Sequence, residues 1–125
     1  MNIELINLVV RSPENIRGVG VQYSRILPPK GQPGVMLVTY EENIVPGQLT
    51  GFWILRSDDD GRTWKRIAHV REEVSGLSSI WNPTLFQLFQ TLGDLPAGTV
   101  LLFGTSIDHD NSIIQLYASE DGGYT

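Results

Sequence analysis

The chain has 125 residues, of which 41% are hydrophobic and 18% are charged, a composition that favours a globular domain over a disordered segment. Its formal net charge of −5 argues against a nucleic-acid-binding protein, because such proteins usually carry a basic face. The absence of cysteine excludes disulfides and thiolate metal sites, and no apolar run approaches the roughly 18 residues that a membrane span needs.

Short apolar runs separated by turns rich in glycine and proline predict an all-β chain, since no long helical period occurs. The run at residues 35–40 is continuously apolar, which predicts a strand that is buried on both faces. In chain order, strands are predicted at residues 3–10, 21–27, 35–40, 51–56, 64–70, 81–88, 99–104 and 113–119.

The turn between the strands at 51–56 and 64–70 carries the pattern S-x-D-x-G-x-T-W. In such a turn an aspartate can accept backbone N–H bonds, and a glycine can adopt a positive φ without a steric penalty. The pattern S-x-D-x-G-x-T occurs again after the strand at 113–119. The residues that carry the two copies are Ser57, Asp59, Gly61, Thr63 and Trp64, and then Ser119, Asp121, Gly123 and Thr125.

This pattern resembles the Asp box, or BNR repeat, of the sialidase-like β-propellers. The resemblance implies an all-β propeller, expected to have six blades, of which this chain holds just under two four-stranded blades. Blade one is expected at about 22–70 and an incomplete blade two at about 81–125, with residues 3–10 as a candidate closing strand. In this family the box stabilises a turn at the rim, so its residues are predicted to be structural.

Arg25 lies in the sequence Tyr23-Ser24-Arg25-Ile26, which resembles the sialidase motif whose arginine binds the substrate carboxylate. Two positions depart from that motif: Ser24 is inserted before the arginine, and Leu27 replaces a proline. The resemblance implies that Arg25 binds substrate in a central funnel. Tyr23 and Trp81 are further candidates for substrate binding, because aromatic rings stack on sugars. A surface arginine and core aromatics are the alternatives.

Glu41 and Glu42 follow the buried strand, where a sialidase carries its acid/base aspartate. Some related propeller arabinanases use glutamates there, so these two residues are the candidate catalytic acids. Two solvent-exposed loop charges are the alternative. The segment with Asp108, His109 and Asp110 is interpreted as a solvated loop.

The resemblance implies a fragment of an exo-acting glycoside hydrolase of sialidase or arabinanase type. The alternative is a non-catalytic Asp-box propeller that binds glycans or proteins. The expected partner is a carbohydrate; no cofactor, metal, nucleic acid or membrane span is expected. Extracellular location follows from the resemblance alone, since residues 1–5 show no signal peptide. The fragment by itself is expected to be inactive.

Overall fold

A computed structural model describes residues 20–43, 51–72, 76, 79–107 and 110–125. Seven strands within these residues form two antiparallel sheets, so the predicted all-β class is confirmed. The predicted strand at 3–10 and the loop residues Asp108 and His109 lie outside the described residues.

The first sheet is a meander of four strands in chain order. Its second strand is buried on both faces because its side chains alternate across the sheet: Leu37 joins the core towards the second sheet, whereas Val38 and Tyr40 join a cluster on the opposite face. The strands are β1 (Gly20–Leu27), β2 (Met36–Asn43), β3 (Gly51–Ser57) and β4 (Lys65–Arg71).

The second sheet contains three strands, again antiparallel and in chain order. They are β5 (Ser79–Gln87), β6 (Val100–Ile107) and β7 (Ser112–Ser119). The two sheets span nearly the residues that the sequence assigns to two blades. The division of the chain into blades of one closed propeller stays a prediction.

The main core lies between the two sheets, where apolar side chains from both face each other. Phe52 is fully buried, and its ring lies against Gly104 of β6: a Cβ added there would be 2.4 Å from Phe52 Cε2. Only a residue without a side chain lets the ring approach so closely. The buried members of the core are Leu37, Phe52, Ile54, Ile80, Leu85, Val100 and Leu102.

The sheets converge at one edge and diverge at the other. Strand β5 packs against β1, β2 and β3, so the first strand of each sheet lies at the convergent edge. At the opposite edge an apolar groove of about 180 Å³ opens between the sheets, lined among others by Ala68 and Val70 of β4 and by Tyr117 and Ala118 of β7. Sheets that diverge from a common inner edge are arranged as propeller blades are around their axis.

Candidate functional site

The two inner strands share a structural irregularity that positions the candidate site. The pairing of β1 with β2 shifts register between Gln22 and Arg25, and that of β5 with β6 shifts between Trp81 and Thr84. Inside each bulge one non-glycine residue has a positive φ: Tyr23 at 50° and Asn82 at 56°. Bulges and left-handed residues are over-represented beside binding sites, where they redirect side chains.

Of the predicted substrate-binding residues, two lie on β1 and are accessible. Tyr23 is 48% exposed, and Arg25 is exposed with its Nη1 donating to the carbonyl oxygen of Ser24 at 3.0 Å. Ser24, which interrupts the family motif, lies within the β1 bulge. The insertion is therefore accommodated locally, and Arg25 returns to regular pairing opposite Thr39. The third predicted residue, Trp81, is half-buried on β5, just before the second bulge.

The two candidate glutamates point to opposite faces of β2, as successive residues of a strand do. Glu41 is fully buried, and its Oε2 accepts a hydrogen bond from the backbone N–H of Asn82 at 3.2 Å. Because β2 and β5 belong to different sheets, this bond connects the first sheet to the bulge of the second. The alternative interpretation of Glu41 as a solvent-exposed loop charge is wrong, because the structure places it in β2, buried at the junction of the sheets.

Glu42 lies on the face that points away from the second sheet, where an aromatic and cationic cluster surrounds it. Its Oε2 accepts a bond from Trp53 Nε1 at 2.6 Å, and its Oε1 lies 3.4 Å from Arg66 Nη2. The Arg66 guanidinium lies 4.4 Å from the centre of the Trp53 ring, against which His69 also stacks. Burial is the main reason that the pKa of the His69 imidazole is below its usual value.

The first Asp-box turn is held by a local hydrogen-bond network that includes every patterned residue. Ser57 Oγ donates to Asp59 Oδ1 at 2.8 Å and accepts from the Gly61 N–H at 2.9 Å. Asp59 also accepts from Thr63 N–H at 2.8 Å and from Thr63 Oγ1 at 2.7 Å. Trp64 Nε1 donates to the Gly61 carbonyl oxygen at 2.9 Å. The hydrogen bonds that Asp59 accepts, first those from Thr63 and then that from Ser57, lower its pKa to about 2.

The second turn repeats the network. Ser119 Oγ donates to Asp121 Oδ1 at 2.7 Å and accepts from the Gly123 N–H at 2.8 Å. Asp121 accepts from Thr125 N–H at 3.0 Å and from Thr125 Oγ1 at 2.7 Å. The bonds from Ser119 and Thr125 hold the pKa of Asp121 well below its usual value. Both carboxylates are thus occupied by turn hydrogen bonds, an arrangement that suits a structural role.

Neither turn forms a metal centre with its neighbours. Within the described ranges, no group of three histidine, aspartate or glutamate residues is placed to hold a metal ion. A helix long and apolar enough to cross a membrane is likewise not found among the described residues.

Sequence reasoning missed Asn82, which proves to be the point where the two sheets meet at their inner edge. The dipeptide Asn82-Pro83 inside a predicted strand was the available signal, because proline cannot donate to a sheet ladder and asparagine tolerates a positive φ. Pro83 is buried within the bulge, where the ladder is already interrupted.

The chain is similar in sequence and structure to several enzymes of known structure. No family model and no curated protein matches the chain. A GH93 α-L-arabinofuranosidase of Fusarium graminearum, solved with arabinobiose, is 36% identical over 90% of this chain, with a TM-score of 0.75. A mutant of an α-L-arabinofuranosidase from the same organism, in complex with an iminosugar inhibitor, is 37% identical over 84% of this chain, with a TM-score of 0.73. An α-L-arabinanase of Penicillium chrysogenum, solved with arabinobiose, is 32% identical over 93%, with a TM-score of 0.71.

The relationship is to propeller glycoside hydrolases. The chain spans about a third of the length of these enzymes, between 29% and 35% of each. The chain therefore forms part of a β-propeller, and the predicted propeller fold is confirmed. The sialidase-like subtype and the number of blades stay predictions.

Proposed function

We propose that the whole protein is an Asp-box propeller glycoside hydrolase that acts on arabinose-containing oligosaccharides. The observation that carries this proposal is the identity of 36% over 90% of the chain with an enzyme that was solved with arabinobiose. Between the two substrate classes that the sequence left open, this favours the arabinanase type. The sialidase type has no counterpart among the solved structures described above.

The proposed substrate changes the role expected of Arg25. A sialic acid carries a carboxylate that a guanidinium binds in a bidentate manner, whereas arabinose is neutral. In this proposal Arg25 donates hydrogen bonds to sugar hydroxyls, and Tyr23 and Trp81 provide aromatic surface for the ring. The exposure of Arg25 and Tyr23 on an inner strand supports these assignments.

The catalytic assignment of the glutamates stays a prediction. Glycoside hydrolysis needs two carboxyl groups on either side of the scissile bond. Glu41 is the better candidate by position, since it lies beside the inner strands, but its side chain is fully buried. Glu42 faces away from the second sheet, and its two carboxylate oxygens accept one hydrogen bond from Trp53 and one from Arg66.

The proposal is tested by assaying the whole protein on arabinobiose and, in parallel, on a sialoside. We expect release of arabinose and no release of sialic acid. Arg25→Ala should lower kcat/KM about 10- to 100-fold, the effect of losing a charged hydrogen-bond donor. Arg62→Ala is the matched control, because Arg62 is an exposed arginine in the first Asp box. Turnover of the sialoside alone would overturn the proposal, and equal losses in both variants would overturn the role assigned to Arg25.

A non-catalytic glycan-binding propeller is the second candidate, favoured by the engagement of both candidate carboxylates in structural contacts. It predicts that arabinobiose binds to the whole protein without being cleaved. Isothermal titration combined with product analysis separates the two candidates, because only the enzyme releases arabinose.

A further inference from the structure

Asn82 combines three features that a residue needing only to form a strand would not have. Its φ of 56° lies in the left-handed region, which costs free energy for any residue other than glycine. Its side chain is exposed at the inner edge of the second sheet. Among the described residues, the amide of that side chain makes no hydrogen bond, so both its donor and its acceptor are available.

The conformation of Asn82 is fixed from the first sheet. The fully buried Glu41 carboxylate accepts the backbone N–H of Asn82, and the buried Pro83 fixes the chain on its other side. A buried carboxylate is costly unless it is hydrogen-bonded, and the bond from the Asn82 N–H offsets part of that cost for Glu41. One of its hydrogen bonds is with Asn82, which has the positive φ inside the β5 bulge.

The first sheet carries an equivalent arrangement on β1. Tyr23 has a φ of 50° in the matching bulge, and its side chain is 48% exposed. Of the three non-glycine residues with positive φ among the described residues, two therefore occupy the same place on neighbouring inner strands. The third, Asp60, belongs to the first Asp-box turn, where its backbone N–H donates to the carbonyl oxygen of Gly34 at 2.9 Å.

We infer that Asn82 is a sugar-binding residue, whose amide bonds the hydroxyl groups of the substrate, and that Glu41 is a positioning residue that holds Asn82 in its left-handed conformation. The inference rests on the proposed function, since it assigns residues of the same funnel. The positioning role inferred for Glu41 replaces the catalytic role that the sequence suggested for it. An amide suits this role because it donates and accepts, as neighbouring hydroxyls of a sugar also do.

The substitution Asn82→Gly in the whole protein tests the side-chain amide separately from the backbone conformation. Glycine adopts the same φ without strain, so the fold should be kept and only the side chain lost. We expect KM for arabinobiose to rise about 3- to 10-fold with kcat nearly unchanged, the effect of losing a neutral hydrogen bond. Asp60→Gly is the matched control, because it removes a side chain from the same backbone conformation in an Asp-box turn. Its KM should equal that of the wild type.

Two substitutions of Glu41 test the positioning role. Glu41→Gln keeps an oxygen that can accept the Asn82 N–H, whereas Glu41→Ala removes it. We expect Glu41→Gln to keep both kcat and KM within about 3-fold of the wild type, and Glu41→Ala to raise KM as Asn82→Gly does. The double variant Glu41→Ala/Asn82→Gly should show no further rise in KM, because both changes remove the same interaction.

The outcomes distinguish this inference from the proposed function. If the wild-type protein processes arabinobiose and Asn82→Gly leaves KM unchanged, the inference is wrong and the proposed function stands. A loss of kcat above 100-fold in Glu41→Gln would show that Glu41 is a catalytic acid or base and would overturn its positioning role. A wild-type protein that neither cleaves nor binds arabinobiose would overturn both.

Discussion

The two Asp-box turns have the same internal hydrogen bonds and different surroundings. In each, a serine hydroxyl bonds the aspartate and the glycine N–H, and the aspartate bonds a threonine. The first turn closes upon itself through Trp64, which bonds the Gly61 carbonyl oxygen. The second lies against the first sheet, because Gly123 is buried and a Cβ added there would be 3.5 Å from both Ile54 Cγ2 and Ile67 Cδ1. The same local motif thus forms a turn in both copies, and in the second copy it also forms a contact between the two sheets.

Arg56 connects the two turns and shows how the difference arises. Its Nε bonds Asp58 of the first turn at 2.8 Å, and its guanidinium lies 5.7 Å from the centre of the Tyr124 ring in the second. The second turn is therefore sensitive to how the two sheets pack. The first turn is held by its own hydrogen bonds and by contacts within the first sheet, such as the bond from the Asp60 N–H to the Gly34 carbonyl oxygen. The following predictions test this comparison.

The largest effect is expected from Gly104→Ala, which acts on the packing between the sheets. The added Cβ would lie 2.4 Å from Phe52 Cε2, so the buried ring or the sheet must shift. We expect a loss of about 1–3 kcal/mol in the free energy of unfolding, measured by urea denaturation. Amide exchange should accelerate more at Gly123 than at Gly61.

Gly20→Ala is the control for this variant, since a Cβ at Gly20 meets only Gln22 Nε2, at 3.7 Å. It should be nearly neutral. Equal acceleration of exchange at Gly61 and Gly123 in Gly104→Ala would contradict the proposed dependence of the second turn on packing.

Trp64→Phe acts on the first turn alone. It keeps an aromatic ring against the cluster of Val38, Tyr40 and Leu55 and removes the bond to the Gly61 carbonyl oxygen. We expect a loss of about 0.5–1.5 kcal/mol in the free energy of unfolding. Amide exchange at Gly123 should accelerate only as much as the lower global stability of the variant requires. A larger acceleration there would show that the two turns are coupled.

A smaller effect is expected from Tyr124→Leu in the second turn. The substitution removes the ring that lies near the Arg56 guanidinium, while Tyr124 itself is 49% exposed. Such a partly exposed cation–π contact contributes about 0.5 kcal/mol, which thermal unfolding can resolve in replicate measurements. Tyr124→Phe, which keeps the ring, is the control and should match the wild type.

The last prediction concerns Asp59 and the pH dependence of stability in acid. Its pKa is lowered from 3.8 to about 2 in the folded protein, so between these values the unfolded chain binds more protons than the folded one. The stability from this carboxylate is therefore present above pH 3.8 and lost as pH falls towards 2. Melting temperatures of the wild type should fall across this window, and those of Asp59→Asn should fall less. Parallel profiles would contradict a role for the ionised carboxylate.

Much of the fold could be predicted because it depends on local pattern. The continuous apolar run at 35–40 predicted a strand buried on both faces, and Leu37, Val38, Thr39 and Tyr40 are all buried. The repeated serine, aspartate, glycine and threonine positions predicted two turns of one kind, since their bonds span at most four residues. The site was less predictable: the sequence cannot show which side chains of different sheets come together.

The two glutamates illustrate where prediction from sequence stops. Adjacent in sequence and identical in type, Glu41 and Glu42 were assigned together as candidate acids. The alternation of β2 separates them, so that one is buried beside Asn82 and the other bonds Trp53 and Arg66. Which face is enclosed depends on where the second sheet packs, and that contact joins residues about 40 positions apart.

The sequence by itself determined the all-β class, the approximate positions of the described strands and the chemistry of both Asp-box turns, because alternation, turn residues and short-range hydrogen bonds are properties of neighbouring residues. Tertiary structure alone decided the burial of Glu41, its hydrogen bond with the Asn82 N–H and the packing of the second turn against the first sheet. These depend on the packing of Phe52 against Gly104 and the other contacts between the sheets. Such contacts join residues distant in the chain, and no local pattern specifies them.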